Sequence, residues 1–191
     1  MMSEKVRSAP RLHTARLTLR QLRISDAQAV FALLSDHETV RYWGHELLGE
    51  VAEAETLIRT NLESMAAGNC IYWAIEDDVT GDTIGTCTLF KFDDRNRRAE
   101  LGYILNRSYW RRGLMSEVMA AMIAFSFNSL ELHRLEADTD PNNAASNALL
   151  KKFGFKREGF FRERWWVHGK WLDSDMWGLL ESEYRALQDS A

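Results

Sequence analysis

Between Tyr109 and Glu117 the chain reads YWRRGLMSE, two arginines and a glycine where a strand-like stretch passes into one with helical spacing. The first N–H groups of a helix lack partners inside it and sit at the positive end of its dipole. Arginines there add positive charge to positive charge, which is favourable only when an anion is present. A strand-to-helix turn containing Gly113 aims several N–H groups at one point, a geometry that holds phosphate oxygens. Glycine permits close approach and a positive φ. Arg111 and Arg112 can screen the phosphate charge, and Ser116 can donate its hydroxyl. An ordinary loop with two solvated arginines is the competing reading. Two other phosphate loops are absent: there is no G-x-x-x-x-G-K-S/T, and no G-x-G-x-x-G following a first parallel strand.

Acid–base chemistry has its own candidates. In RRAELGYILN, alternation puts Ala99, Leu101, Tyr103 and Leu105 on one face and Arg98, Glu100, Gly102, Ile104 and Asn106 on the other. Glu100 beside the side-chain-free Gly102 can look into a cleft and act as a base. A cross-strand ion pair with Arg97, Arg98 or a neighbour explains it equally well. Further on, Pro141-Asn142-Asn143 is a natural helix entrance, because asparagine caps free N–H groups. Ser146 falls in the first turn and shares a helical face with Asn143; it is either a hydroxyl aimed at a site or a solvated helix serine. The run Asp138-Thr139-Asp140-Pro141-Asn142 fails as a calcium loop, since its sixth position is Asn143 and its twelfth Leu149. His13, His37, His45, His133 and His168 show no ligand pairing, so no metal is expected.

The elements that must position these residues follow from periodicity. RLTLRQLR alternates, with Leu17, Leu19 and the aliphatic part of Gln21 on one side. Ser25-Asp26 begins a helix whose apolar side is Ala29, Val30, Leu33 and Leu34. A second helix covers about Glu50 to Ala67 and stops at Gly68-Asn69. CIYWAIED, DTIGTCTLFKF and RRAELGYILN are strands in quick succession. After the arginine turn, Leu114, Val118, Ala121, Met122 and Phe125 mark a helix. HRLEADTD is a strand, ASNALLKKFGF a helix ending at Gly154, and the last two strands form a hairpin around His168-Gly169. The expected architecture is α/β (α+β): a mixed, mostly antiparallel sheet of about seven strands with about four helices. Residues 12–182 would form the single domain, with 1–11 a flexible N-terminal segment and 183–191 a C-terminal tail.

Composition narrows the function classes. The 191 residues are 46% hydrophobic, enough for one domain with a proper core. The 24 basic and 28 acidic residues give a net charge of -4, so a whole-protein basic field for nucleic acid is absent. No apolar run spans a membrane and no signal-like h-region opens the chain, which makes a soluble, cytoplasmic protein the expectation. Cys70 and Cys87 are expected to be reduced, packed thiols.

Three stretches, RLTLRQLRISDA, AELGYILNRSYWRRGLMSE and DTDPNNAASNALLKKFGFKREG, together with the element order, resemble the GNAT superfamily of acyl-CoA-dependent N-acetyltransferases, in particular its Rim-type branch of ribosomal-protein N-terminal acetyltransferases. The resemblance spans about residues 12–182. Trp110 and Met115 depart from the family's Q/R-x-x-G-x-G/A loop at its first and last positions. The resemblance implies that Arg111, Arg112, Gly113, Leu114, Met115 and Ser116 cradle the diphosphate of acetyl-CoA. It implies that the strand at Ile104, Leu105 and Asn106 pairs its backbone with the pantetheine, and that the fourth and fifth strands splay apart to admit the thioester. It further implies Glu100 as base, often through water, Ser146 as the hydroxyl acid, and Asn142 and Asn143 on the cofactor, with Asn143 near the thiol. Tyr42 and Trp43 would line the acceptor groove. From charge alone, Glu76 or the acidic residues after it can attract a cationic amine, and solvated turn charge explains them equally well.

The acceptor stays open: a peptide or ribosomal-protein N-terminus, or a small amine such as an antibiotic, amino acid or polyamine. A non-catalytic acyl-CoA-binding module and an unrelated phosphate-binding protein are the alternatives to an enzyme. The aromatic C-terminal hairpin makes a homodimer plausible.

Overall fold

The computed structural model describes residues 6–44, 46–167 and 169–189. Its elements are β1 (Leu12–His13), β2 (Leu17–Gln21), α1 (Ala27–Leu34), α2 (His37–Val40), α3 (Val51–Ala66), β3 (Cys70–Asp77), β4 (Thr83–Asp93), β5 (Arg98–Leu105), α4 (Leu114–Asn128), β6 (Arg134–Thr139), α5 (Ala144–Lys152), β7 (Lys156–Val167), β8 (Lys170–Leu180) and α6 (Glu181–Asp189). The strands form one sheet in the order β1-β2-β3-β4-β5-β6-β8-β7, antiparallel throughout except between β5 and β6. This is the expected mixed sheet, with the two-residue β1 added at one edge and the short α2 and terminal α6 added to the helices. His168, expected in the last hairpin turn, and His45 lie outside the described residues.

The splay comes from register. β5 and β6 pair only over Arg98↔Arg134, Ala99↔Leu135 and Glu100↔Glu136. Beyond that rung β5 stays paired with β4 as far as Gly85↔Leu105, and β6 stays paired with β8 as far as Thr139↔Asp175. Each strand is held by its other neighbour, so the two inner edges part into a V. Gly85 lets β4 and β5 run this close, since a Cβ there would sit 2.4 Å from the Ile104 carbonyl oxygen.

Each face of the sheet carries its own core. Leu114, Val118, Met119 and Met122 of α4 and Leu150 of α5 pack with Leu17, Leu19, Leu89 and Leu101 on one face. Val30 and Leu33 of α1, with Ala54 and Ile58 of α3, meet Ala74 and Ile104 on the other. Burying large aliphatic side chains contributes about 1.5–3 kcal/mol each. Residues Thr18 and Arg20 are buried along with Leu17 and Leu19, whereas Gln21, expected on the apolar side, is exposed. Arg20 is tolerated inside because Asp26 meets its guanidinium with two bonds, at 2.8 and 2.9 Å, while Glu76, Thr83 and the Gln21 carbonyl take the remaining hydrogens. Glu76 is therefore a partner of Arg20 and does not line the cavity described below, contrary to the role expected for it.

Described residues on either side of positions 12–182 also pack against the sheet and its helices. Val6 is fully buried, and the Pro10 carbonyl accepts the indole N–H of Trp73 at 2.8 Å. The segment expected as a C-terminal tail forms α6, started by Glu183 accepting from the Leu180 N–H and held by Tyr184 stacked on Phe127 at 5.1 Å. Tyr184 and Leu187, three residues apart, give it an amphipathic pattern that the helical period could have shown.

Candidate active site

The arginine turn has the backbone its sequence asks for. Gly113 stands at φ 77°, ψ 0° as the N-cap of α4, and Arg111 is also left-handed at φ 61°. No side chain caps the helix. Arg111 and Arg112 are exposed, and the Arg112 guanidinium lies 5.1 Å from the Tyr109 ring centroid. Two further cations reach the turn that local sequence did not suggest. Arg16 donates to the Arg112 carbonyl at 2.9 Å and pairs with Glu117 at 2.6 Å, and Thr14 donates to the same carboxylate at 2.7 Å. Partial burial pushes the Glu117 carboxyl up, but the bonds from Thr14 and Arg16 outweigh it and leave the group below its usual range. Lys152 of α5 donates to the Ser116 hydroxyl at 3.1 Å. Uncapped N–H groups ringed by Arg16, Arg111, Arg112 and Lys152 fit a diphosphate.

At the splay a cavity of about 690 Å³ opens. It brings together Tyr42 and Trp43, Glu100, and Asn143 with Ser146, from three separate stretches of sequence. It does not include Ile104, Leu105, Asn106, Asn142 or residues 111–116, which lie outside its lining. Asn106 caps the turn after β5 by accepting from the Ser108 N–H at 2.9 Å, and the Leu105 carbonyl accepts the Trp110 indole N–H at 2.7 Å. Asn142 is exposed and bonded to Asp140 at 2.7 Å through its N–H.

Glu100 is buried, 6% exposed, and accepts from Lys91 Nζ at 2.8 Å. The ion-pair alternative is thus present, with Lys91 rather than Arg97 or Arg98; Arg98 is held by Asp93 and Glu136. Asn143 is the N-cap of α5, its side-chain oxygen accepting from the Ser146 N–H at 3.1 Å. That cap fixes the first turn, and there Ser146 Oγ lies 2.6 Å from the Tyr103 hydroxyl. Burial pushes the Tyr103 phenol up to about 12, so it stays protonated and able to donate. Sequence reading placed Tyr103 on one face of its strand but assigned it no role, because alternation gives a face and not what covers that face.

Asp138 also lines the cavity. Burial pushes its carboxyl up, against the pull of Arg164, the Trp165 indole N–H and Lys91. Cys70 and Cys87 are free and buried, and burial raises both thiols, so neither is a ready thiolate. Among the described residues no helix is long and apolar enough to cross a membrane.

Comparison with known proteins agrees with this geometry. Residues 16–156 match the model of the acetyltransferase (GNAT) domain. The chain is 36% identical over 172 residues to the uncharacterized N-acetyltransferase YoaA of Bacillus subtilis, covering 90% of this chain and 97% of that protein. It is 26% identical over 118 residues, 61% of each chain, to the [Ribosomal protein uS5]-alanine N-acetyltransferase of Escherichia coli. In fold it is similar to a spermidine N-acetyltransferase from Vibrio cholerae solved in complex with CoA and spermine, with TM-score 0.80, 23% identity, and 90% and 99% of the two chains covered.

Proposed function

The chain belongs to the acetyltransferase (GNAT) domain family and is an acyl-CoA-dependent N-acetyltransferase; from that premise we propose that its acceptor is the α-amine of a protein or peptide N-terminus, acetylated by direct attack in a ternary complex. The observation that carries this reading is the cavity at the splay, where a carboxylate from β5 and a hydroxyl from α5 share one space. An α-amine has a pKa near 7.7–8.0 against about 10.4 for a lysine side chain, so it asks little of its base. Glu100 suits that modest demand. The long β7–β8 hairpin supplies Trp165, Val167 and Leu172 as one wall and leaves Trp166 and Trp171 exposed beside it, which supports an extended acceptor and an edge for a homodimer.

Acetyl-CoA supplies the activated acetyl group and leaves as the free thiol. In this reading the arginine turn, with Arg16, Arg112 and Lys152, binds the diphosphate, and the free edge of β5 orients the pantetheine. Glu100, directly or through a water, holds the acceptor nitrogen and takes its proton. Ser146 holds a proton at Oγ for the departing sulfur, backed by the neutral Tyr103 hydroxyl. Tyr42 and Trp43 line the approach.

A polyamine or other small amine is the second reading, supported by the four carboxylates Glu100, Asp138, Asp140 and Asp173 in the cavity lining. Thiol release from acetyl-CoA over peptides beginning Ser, Ala or Met, set against spermidine and an aminoglycoside, separates the two. Peptides are expected to give the highest kcat/KM; turnover with spermidine alone would overturn the N-terminal assignment. Glu100→Gln is expected to lower kcat and flatten the pH–rate profile, and an unchanged profile removes Glu100 as base.

A further inference from the structure

We propose that Lys91 occupies the seat of the acceptor's ammonium group, a cation site built from Glu100, Phe90 and Trp165, and that the acceptor must displace it to bind. This deepens the reading above, on which its link to catalysis rests; the site itself stands on geometry alone. Lys91 Nζ lies 2.8 Å from Glu100 Oε2, 5.3 Å from the Phe90 ring centroid and 6.0 Å from that of Trp165. A carboxylate flanked by aromatic faces is what a primary ammonium needs in a partly dry site: charge neutralisation, a hydrogen-bond acceptor and two ring quadrupoles. Glu100, Phe90, Lys91 and Trp165 all line the cavity at the splay.

The backbone is bent to put Lys91 there. Phe90 is the register partner of Glu100, so their side chains share a face of the sheet. In a regular strand Lys91 would point to the opposite face. A register irregularity follows Phe90, and Lys91 takes a left-handed φ of 53°, uncommon for a residue other than glycine. The irregularity turns the side chain back over Glu100. Sequence alternation gives no hint of this, which is why the partner of Glu100 was sought among Arg97 and Arg98.

The neighbouring carboxylates are committed to the fold in a way that Glu100 is not. Asp138 is held by Arg164, by the Trp165 indole N–H and by the Ser174 hydroxyl. Asp140 accepts from the Asn142 N–H at 2.7 Å and Asp173 from the Glu163 N–H at 2.9 Å. The partner of Glu100 is a lysine whose side chain is 51% exposed, on a flexible stem with room to swing into water. Glu100 itself is buried, so the displacement exchanges one cation for another: the incoming ammonium takes over the bond that the half-exposed lysine gives up to water, and the net cost is small. Lys91 thereby selects for acceptors that bring a positive charge of their own: a neutral ligand would have to leave either Glu100 or the lysine unpaired.

The test needs no knowledge of the natural acceptor. Lys91→Ala empties the seat, and Lys91→Met empties it of charge while keeping the stem packed over Phe90, so one variant remains if the other folds poorly. Thermal unfolding is followed with n-butylammonium chloride and, at matched ionic strength, sodium chloride. Both variants are expected to rise in Tm with n-butylammonium beyond the sodium control, and at lower n-butylammonium concentration than the wild-type chain needs for the same rise, and Glu100→Gln in the Lys91→Ala background is expected to abolish the rise. In steady-state assays with whichever amine turns over, Lys91→Met is expected to lower the acceptor KM about two- to fivefold at unchanged KM for acetyl-CoA, the size of effect a weak competing ion pair allows. No differential response to n-butylammonium, or one that survives loss of the Glu100 charge, overturns the proposal. A chain that bound n-butylammonium as described yet acetylated no peptide would instead sink the N-terminal acceptor and leave the cation site standing.

Discussion

Removing the hydroxyl of Ser146 separates a catalytic from a structural reading of the contact between α5 and β5. Ser146 Oγ and the Tyr103 hydroxyl are 2.6 Å apart, and the phenol is buried deeply enough to be pushed up to about 12. Ser146→Ala leaves that phenol without its partner, a loss of about 1–3 kcal/mol for a buried polar group. For a chain of this length roughly 3 °C accompanies each kcal/mol, so Tm falls by roughly 3–9 °C. Tyr103→Phe removes the other side; the serine hydroxyl left behind faces the cavity, where water can satisfy it, and the loss is smaller. The double variant is expected to be more stable than the sum of the single effects implies, with coupling of about 0.5–3 kcal/mol. If the hydroxyl also serves the departing sulfur, Ser146→Ala lowers kcat by about 10²-fold or more, the usual range for acid–base help, with KM for acetyl-CoA little changed. Differential scanning calorimetry of the three variants and steady-state thiol release read the two effects separately. Additive stabilities would refute the coupling; a stability loss with intact kcat would refute the acid role and leave a packing contact.

Two other perturbations follow from the same structure. Gly113→Ala forces a Cβ onto a residue at φ 77°; at about 1–2 kcal/mol for the left-handed region, KM for acetyl-CoA is expected to rise about 5- to 30-fold as the turn relaxes, with kcat nearly intact, and an unchanged KM would remove the turn from the cofactor site. Asp26→Asn breaks the buried pair with Arg20 and is expected to cost about 3–5 kcal/mol in urea unfolding at neutral pH. Burial alone would raise Asp26, but the bonds from Arg20, the Arg23 N–H and Thr83 outweigh it and hold its carboxyl below the ordinary 3.8. A depressed carboxylate adds stability that is fully present above its unfolded value and is lost as pH falls through its native one. Wild-type stability should therefore fall below about pH 4, and the Asp26→Asn variant should show a shallower acid limb; equal acid limbs would contradict the assignment.

Much of this protein was legible along the chain because local rules sufficed. Apolar runs bracketed by turn residues placed β3, β4 and β5, and the 3.6 period placed α3 and the start of α4, each within a residue. Positive-φ glycines ended or began helices at Gly68, Gly113 and Gly154, as their missing Cβ requires. The arginine turn stood out as a candidate because cations beside uncapped N–H groups are favourable with an anion, although a loop with solvated arginines reads the same along the chain. The roles of Asn143 and Ser146 came from the family resemblance, since their spacing shows only that they share one helical face, and Glu100 read equally well as a base or an ion-pair partner.

Tertiary structure decided what those residues meet. Where β5 stops pairing with β6 depends on β4 and β8 each holding its own neighbour, and neither constraint is local. Arg16 and Lys152 reach the turn from about one hundred residues before it and from the next helix, through contacts no spacing encodes. Tyr103 becomes a partner of Ser146 only when α5 closes over β5, and Lys91 reaches Glu100 only because one irregularity reverses the alternation that sequence reading relies on. Alternation and helical period fix which face a side chain takes; the packing of distant elements fixes what stands opposite it, and in this chain that is where the chemistry is set.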